Sequence, residues 1–384
     1  MKPGILVVAG GTGGHLSPGT ALAAHLQNAG LAVDFLSLNK NSNYPDLLSA
    51  SYPVHFYNAP TLNLRKILIF PIRLLTAMFR AIPLVRKKDV IILMGGFPCL
   101  PAGLAAVLFR IPIYLCEQNA VLGRANRLFA RFARTVFLNI PLSGRSHSPG
   151  WPVVGNPLRQ SFLGKISHSS LSGKKKGSER SKSSVSGKET GKDTSSGNRS
   201  ASFPSGKGLR ILVAGGSQGA TQINEMILDL CQRESAFFNR YRWVLQAGLR
   251  NEQSMKESFS GKRNIQVIGF DPDIHRFYRE ADLIVCRAGA GVLTEAFLFG
   301  LPMVLIPYPF ATDSHQKENA SYVQLAGAAL MIDTTGSAGD LLYESLASLE
   351  GKKLKEMAGI SKSLARPDAS QKILDRILAD FQSE

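Results

Sequence analysis

Glycine-rich turns hold most of the chemistry that can be read from this 384-residue chain. Gly10-Gly11-Thr12-Gly13-Gly14-His15 follows the apolar run Ile5–Ala9 and precedes a helical pattern over Gly19–Ala29. Gly215-Gly216-Ser217-Gln218-Gly219-Ala220 stands in the same relation to Leu209–Ala214 and to a helix that runs to about Glu234. Without Cβ atoms, the N–H groups of such a turn approach a phosphate closely, and the following helix adds a favourable dipole. Neither turn is a P-loop, because no Gly-Lys-Ser/Thr follows. The first also departs from the dinucleotide fingerprint, with Leu16 at the last glycine position of GxGxxG. Asp34 falls inside the next strand rather than at its end, where a ribose-binding acid would stand.

A third turn, Arg287-Ala288-Gly289-Ala290-Gly291, places Glu295 one turn inside the helix that follows. A carboxylate there can accept both hydroxyls of a ribose, or simply complement the helix dipole. Asp313-Ser314-His315-Gln316-Lys317-Glu318-Asn319 opens another helix after the turn Pro307–Phe310, and Asp313 by itself is an ordinary N-cap. Asp271-Pro272-Asp273 has the spacing of a metal-diphosphate motif, but its place between a strand and a helix favours capping. No metal and no other cofactor is therefore expected. A diphosphate leaving group would be stabilised by helix termini and Arg159.

These turns need sheets to hold them. Ile5–Ala9, Leu31–Leu38, Val90–Met94, Ile111–Cys116 and Thr135–Asn139 form the strands expected of a first half. Leu209–Ala214, Arg242–Leu245, Ile265–Ile268, Leu283–Cys286 and Met303–Ile306 are those of a second. Continuous apolar runs mark strands buried on both faces of a parallel sheet. Helical segments between them, including Ala102–Phe109 and Arg124–Ala133, predict two doubly wound α/β domains of one architecture. The expected division is a first domain at 1–163, a disordered Ser/Gly/Lys-rich linker at 164–208, a second domain at 209–360 and a C-terminal segment at 361–384.

Apolar residues make up 44% and charged residues 19%, a globular composition. The net charge is +17, and Gly164–Gly208 holds ten Lys/Arg against three Asp/Glu, so the remainder is itself basic. Such a body suits anionic partners, whether phosphates, nucleic acid or acidic lipid headgroups. Cys99, Cys116, Cys231 and Cys286 show no CxxC pair and no metal spacing with His, as expected of buried thiols in a cytosolic protein. Val90–Phe109 is uncharged and long enough to span a bilayer, but Gly95-Gly96, Pro98 and Pro101 divide it into a strand, a turn and a helix. Leu64–Lys88 interleaves Ile67, Leu68, Phe70, Leu74, Leu75, Met78 and Phe79 with Arg65, Lys66, Arg73, Arg80, Arg86, Lys87 and Lys88. That pattern fits a peripheral surface on anionic lipid, or a core helix with basic flanks.

Together the motifs GGTGGH (Gly10–His15), EQN (Glu117–Asn119), GNPLR (Gly155–Arg159), GGSQGA (Gly215–Ala220) and the Gly289–Glu295 turn with Gln316 beyond it resemble the bacterial MurG family. Its members are UDP-N-acetylglucosamine transferases that convert lipid I to lipid II in peptidoglycan synthesis. The resemblance covers all but the linker. It implies a GT-B fold, two Rossmann-like domains facing across a cleft, with metal-independent, inverting sugar transfer. Thr12, Gly13 and Gly14 would line the cleft, the loop poised for the acceptor diphosphate. Asn119 would contact the sugar, Arg159 the donor, and Ser217 the donor diphosphate. Ala290, Gly291, Val292, Leu293, Thr294 and Glu295 would hold the nucleotide, with Glu295 on the ribose, and Gln316 would touch the sugar. A helix near Gln371–Phe381 would pack back on the first domain. His15 is the candidate general base, since an imidazole of pKa about 6.5 accepts a proton at neutral pH. Glu117 is a rival.

The implied partners are UDP-N-acetylglucosamine and lipid I as substrates, an anionic membrane surface and other cell-wall synthesis proteins, and no nucleic acid. The implied place is the cytoplasmic face of the bacterial inner membrane. Three residues depart from the family pattern: Cys116 for a His, Cys99 for a Ser, and Val292 for a hydroxyl residue. The first two lie on the acceptor side, which keeps a diacylglycerol glycosyltransferase open as the nearest alternative. A non-catalytic membrane adaptor is a second. A nicotinamide-dependent oxidoreductase would need the glycine fingerprint and strand-end acid that are missing here.

Overall fold

The computed structural model describes residues 2–11, 13–59, 69–144, 150–164, 208–215, 219–333 and 338–383. Thr12, Ser217, positions 64–68 of the basic apolar segment and all of the expected linker except Gly164 and Gly208 lie outside them.

Two six-stranded sheets carry the fold. In the first, β1 (Gly4–Val8), β2 (Ala32–Leu38), β3 (Val54–Tyr57), β4 (Val90–Leu93), β5 (Ile113–Glu117) and β6 (Ala133–Leu138) run in the order β3-β2-β1-β4-β5-β6. In the second, β7 (Arg210–Ala214), β8 (Arg242–Gln246), β9 (Ile265–Ile268), β10 (Leu283–Cys286), β11 (Met303–Leu305) and β12 (Ala329–Met331) run β12-β11-β10-β7-β8-β9. That is the same order seen from the other edge, and the paired strands are parallel throughout. The order reverses between β1 and β4 and between β7 and β10, and the crevice at the carboxyl ends of such strands is where open α/β sheets take ligands.

Apolar runs became strands because helices cover both faces of each sheet. Ile5, Leu6, Val7 and Val8 of β1 are all fully buried. Two edge strands were not expected from the sequence. β3 leaves His55 and Phe56 exposed, and β12 is only three residues long. The helix after β1 spans Gly13–Asn28, starting six residues earlier than its apolar pattern, with Pro18 inside it. So early in a helix, a proline removes a single intrahelical bond.

Val90–Phe109 forms β4, a turn and the helix Cys99–Leu108. Among the described residues no helix is long and apolar enough to cross a membrane. The helix Phe70–Val85 buries Ala77, Ala81 and Val85 against Cys99–Leu108, and leaves Ile72 (65% exposed), Leu75 (51%) and Phe79 (65%) uncovered. The C-terminal helix Ala369–Gln382 places Ile373, Leu374 and Ile377 in the core beside the first sheet. His25 and Gln371 (3.2 Å), and the Tyr114 hydroxyl donating to Asp380 (2.9 Å), fasten it there.

Candidate active site

Beyond β1, Gly10 packs closely, since a Cβ there would lie 3.0 Å from Pro98 Cγ. Gly11 (φ +94°) and Gly13 are different: an added Cβ would find no atom within 4 Å. Packing does not require glycine at those two positions, and both leave room for a ligand. His15, half-buried in the first turn of the helix, rests on the backbone after β4. A Cβ on Gly95 would come 3.2 Å from its Cδ2 and Nε2, and Gly95 and Gly96 have φ of +101° and +77°. Glycine is the residue that gives both that backbone and that approach. Burial, then the charge of His315 from the second half, pushes the imidazole down to about 4. It is therefore neutral near pH 7, with one ring nitrogen able to accept a proton.

Glu117, at the end of β5, is 3% exposed. Its Oε1 accepts from the Asn119 amide (3.0 Å) and Asn119 Nδ2 (3.4 Å), and its Oε2 from the Gly123 amide (2.8 Å) and Asn126 Nδ2 (2.9 Å). Burial raises its pKa and these four donors oppose the rise. Two donors on each oxygen leave the carboxylate little capacity to take a substrate proton, and the same bonds hold Asn119 in place.

Several contacts join the halves beside this loop. Asn319, fully buried on the helix His315–Leu325, accepts from the Ala120 amide (2.7 Å) and donates to Asn119 Oδ1 (3.1 Å) and Ala288 O (2.9 Å). Thr294 Oγ1 lies 3.3 Å from Asn139 Oδ1 and 2.8 Å from Ala290 O. Arg124 forks onto Asp313, Nη2 to Oδ1 at 2.8 Å and Nε to Oδ2 at 3.1 Å. Asp313 is thus an ion-pair partner, and Ser314, not Asp313, stands at the N-cap of the helix His315–Leu325.

In the second half, Gly289 caps the helix Ala290–Phe299 without a side-chain bond. An added Cβ at Gly289 or Gly291 would meet nothing within 4 Å. Glu295 sits deeper, and burial pushes it up to about 7 against the pull of a Tyr278 hydrogen bond and the Arg159 charge. Arg159 belongs to the first half yet reaches this cluster. Its guanidinium lies 5.5 Å from the Phe162 ring centroid, Nη1 is 3.8 Å from Asp46 Oδ1, and Nε is buried with no hydrogen-bond partner among the described residues. Gln316 Oε1 accepts from the Tyr308 amide at 2.9 Å.

Not every expected residue faces the cleft with its side chain. Leu293 is fully buried in the apolar core and offers a ligand only backbone, while Val292 packs against that core and is partly exposed. Gly215 and Gly219 are explained by packing: a Cβ on Gly215 would lie 2.8 Å from Gln246 O, and one on Gly219 would overlap Ala247 O. Asp34 is engaged by Lys88 (2.8 Å) and His55 (3.1 Å). Asp271 accepts from the Asp273 amide (2.8 Å) and Arg276 (2.6 Å), as a turn-former does. Cys99 and Cys116 are buried, and Cys99 Sγ donates to Gly95 O at 3.1 Å, its thiol pushed up to about 12 by burial. Both departures thus lie beneath the loops. Sequence reasoning missed Asn319 and Tyr278. A signal for Asn319 was available, since it stands one helical turn after Gln316.

Two sheets of one topology, with open glycine turns at their carboxyl ends, define a two-domain GT-B fold. The N-terminal and C-terminal domain models of glycosyltransferase family 28 match residues 5–138 and 210–373. The UDP-N-acetylglucosamine--N-acetylmuramyl-(pentapeptide) pyrophosphoryl-undecaprenol N-acetylglucosamine transferase of Leptospira interrogans is 34% identical over 380 residues, 96% of each chain. That of Paraburkholderia xenovorans is 30% identical, covering 96% of this chain and 92% of its own. Acinetobacter baumannii MurG superposes with a TM-score of 0.73 at 27% identity, over 99% of this chain and 100% of its own. A calicheamicin glycosyltransferase shares the fold, with a TM-score of 0.68 at 13% identity, over 99% of this chain and 98% of its own. The chain belongs to the MurG family of N-acetylglucosaminyltransferases.

Proposed function

We propose that the protein transfers N-acetylglucosamine from UDP-N-acetylglucosamine to lipid I, forming lipid II with inversion at the anomeric carbon. The observation that carries this reading is the match, over 96% of the chain, to transferases named for that donor and that acceptor. The second half takes the donor. Its diphosphate lies at the open glycines of the helix Ala290–Phe299 and near Arg159, while Glu295 accepts from the ribose. Ser217 supports the diphosphate from the second half, and Asn119 and Gln316 hold the sugar. The first half takes the acceptor over Thr12, Gly13 and Gly14.

His15 accepts the proton as the acceptor hydroxyl attacks the anomeric carbon and the bond to the UDP oxygen breaks. Its low resting pKa keeps it unprotonated, and the acceptor's diphosphate beside it would raise its basicity when bound. Glu117 acts by holding the loop. Exposed Ile72, Leu75 and Phe79, among exposed Arg73, Arg80, Arg86 and Lys87, seat the first half on the anionic inner leaflet of the bacterial inner membrane.

The test is sugar transfer from labelled UDP-N-acetylglucosamine to lipid I or diacylglycerol. Label in lipid II alone is expected. Label in glycosylated diacylglycerol, with none in lipid II, would sink the assignment.

A further inference from the structure

Asn319 joins two loops from opposite halves at the point where they meet. Asn119 and Ala120 follow β5 of the first half, directly after Glu117. Ala288 follows β10 of the second, immediately before Gly289, the cap of the proposed nucleotide turn. Asn319 accepts from one loop through Ala120, donates to that loop through Asn119, and donates to the other through Ala288 O. Both protons of its amide are used, and the side chain is fully buried. Asn119 Nδ2 otherwise has the long 3.4 Å contact to Glu117.

We propose that Asn319 is a positioning residue for the transfer step, setting the Glu117–Ala120 loop of the first half in register with the nucleotide turn of the second. In its absence the buried Ala120 amide and Ala288 O are left unpaired and part-exposed Asn119 Oδ1 loses its partner, a state relieved by moving the loops apart and admitting water. A misplacement of about 1 Å costs on the order of a hundredfold in rate. Ala288 stays tied to the helix Ala290–Phe299 through Gly289, so the loop that yields is Glu117–Ala120, and the donor contacts at Glu295 and the helix N-terminus stay in place. The loss therefore falls on turnover, not on nucleotide affinity. Only the kinetic part of this inference rests on the transferase reading.

Asn319→Ala removes all three bonds, and Asn319→Asp keeps the acceptor toward Ala120 while removing both donated bonds. Calorimetry with UDP, steady-state kinetics and amide hydrogen exchange read the result. In both variants kcat should fall about 30- to 100-fold, with the UDP Kd within about threefold of wild type. Adding Asn119→Ala to Asn319→Ala should cost much less than Asn119→Ala costs alone, because the two residues act together. Exchange across residues 118–123 should accelerate in the free protein. An unchanged kcat, additive effects, or equal losses in kcat and UDP affinity would overturn the proposal. If neither variant folds, Asn319→Ser takes their place with the same criteria. Wild-type protein that transfers no sugar would fail the transferase reading instead, and unchanged exchange at 118–123 would then overturn the positioning role by itself.

Discussion

The two halves are built on one strand order, yet burial acts on their central side chains with opposite consequences. In the first half it pushes His15 down to about 4, and in the second it pushes Glu295 up to about 7. Both shifts favour the neutral form, because taking a charge out of water is costly. For an imidazole that must accept a proton, neutrality is the working state. For a carboxylate that must accept hydrogen bonds from a ribose, it is the idle state, and Tyr278 and Arg159 are what hold Glu295 near the threshold. On the proposed assignment, a desolvated cleft readies the acceptor side and makes the donor side sensitive to pH.

His15→Ala tests the first side. Turnover should fall about 10²- to 10⁴-fold with UDP affinity nearly unchanged, and near-normal turnover would remove His15 as the base. Glu295→Ala tests the second, and titration calorimetry should show UDP bound about 10- to 100-fold more weakly. The third prediction concerns acid. A carboxylate with a folded pKa of about 7 takes up a proton as pH falls through that value, so affinity for UDP-N-acetylglucosamine, whose diphosphate has no group titrating there, should drop about tenfold per pH unit below it. Glu295→Gln should abolish that slope. His15 should add no acid limb to kcat/KM until the pH nears 5, because its pKa of about 4 in the free protein keeps it neutral.

The smallest effects separate glycines used for packing from glycines left open. Gly219 has φ +75° and no room for a Cβ, so Gly219→Ala should cost about 1–3 kcal/mol of stability by denaturant titration. Gly291 faces open space, so Gly291→Ala should leave stability within about 0.5 kcal/mol and weaken UDP binding instead. The reverse pattern would mean that nucleotide does not lie over Gly291.

This division was only partly legible in the sequence. Continuous apolar runs announced the strands buried on both faces, but β3 and β12 are short edge strands whose pattern is too brief or too exposed to register. Glycine clusters announced the turns. They did not reveal that Gly215 and Gly219 serve packing while Gly289 and Gly291 do not, because that depends on what faces each missing Cβ. Glu117 and His15 have the residue types of bases in any sequence. That Glu117 has both oxygens occupied follows from donors at Gly123 and Asn126, which spacing alone does not assign. For Asn319 the sequence shows only a polar residue one turn after Gln316; its link to the first half was out of reach, because its partners there lie 199 and 200 residues away.

The most direct test is a structure of the protein with UDP-N-acetylglucosamine bound. The ribose hydroxyls should lie within hydrogen-bond distance of Glu295, with the diphosphate at the start of the helix Ala290–Phe299. Uridine found instead on the Gly10–His15 turn would contradict the assignment of donor and acceptor to the two halves.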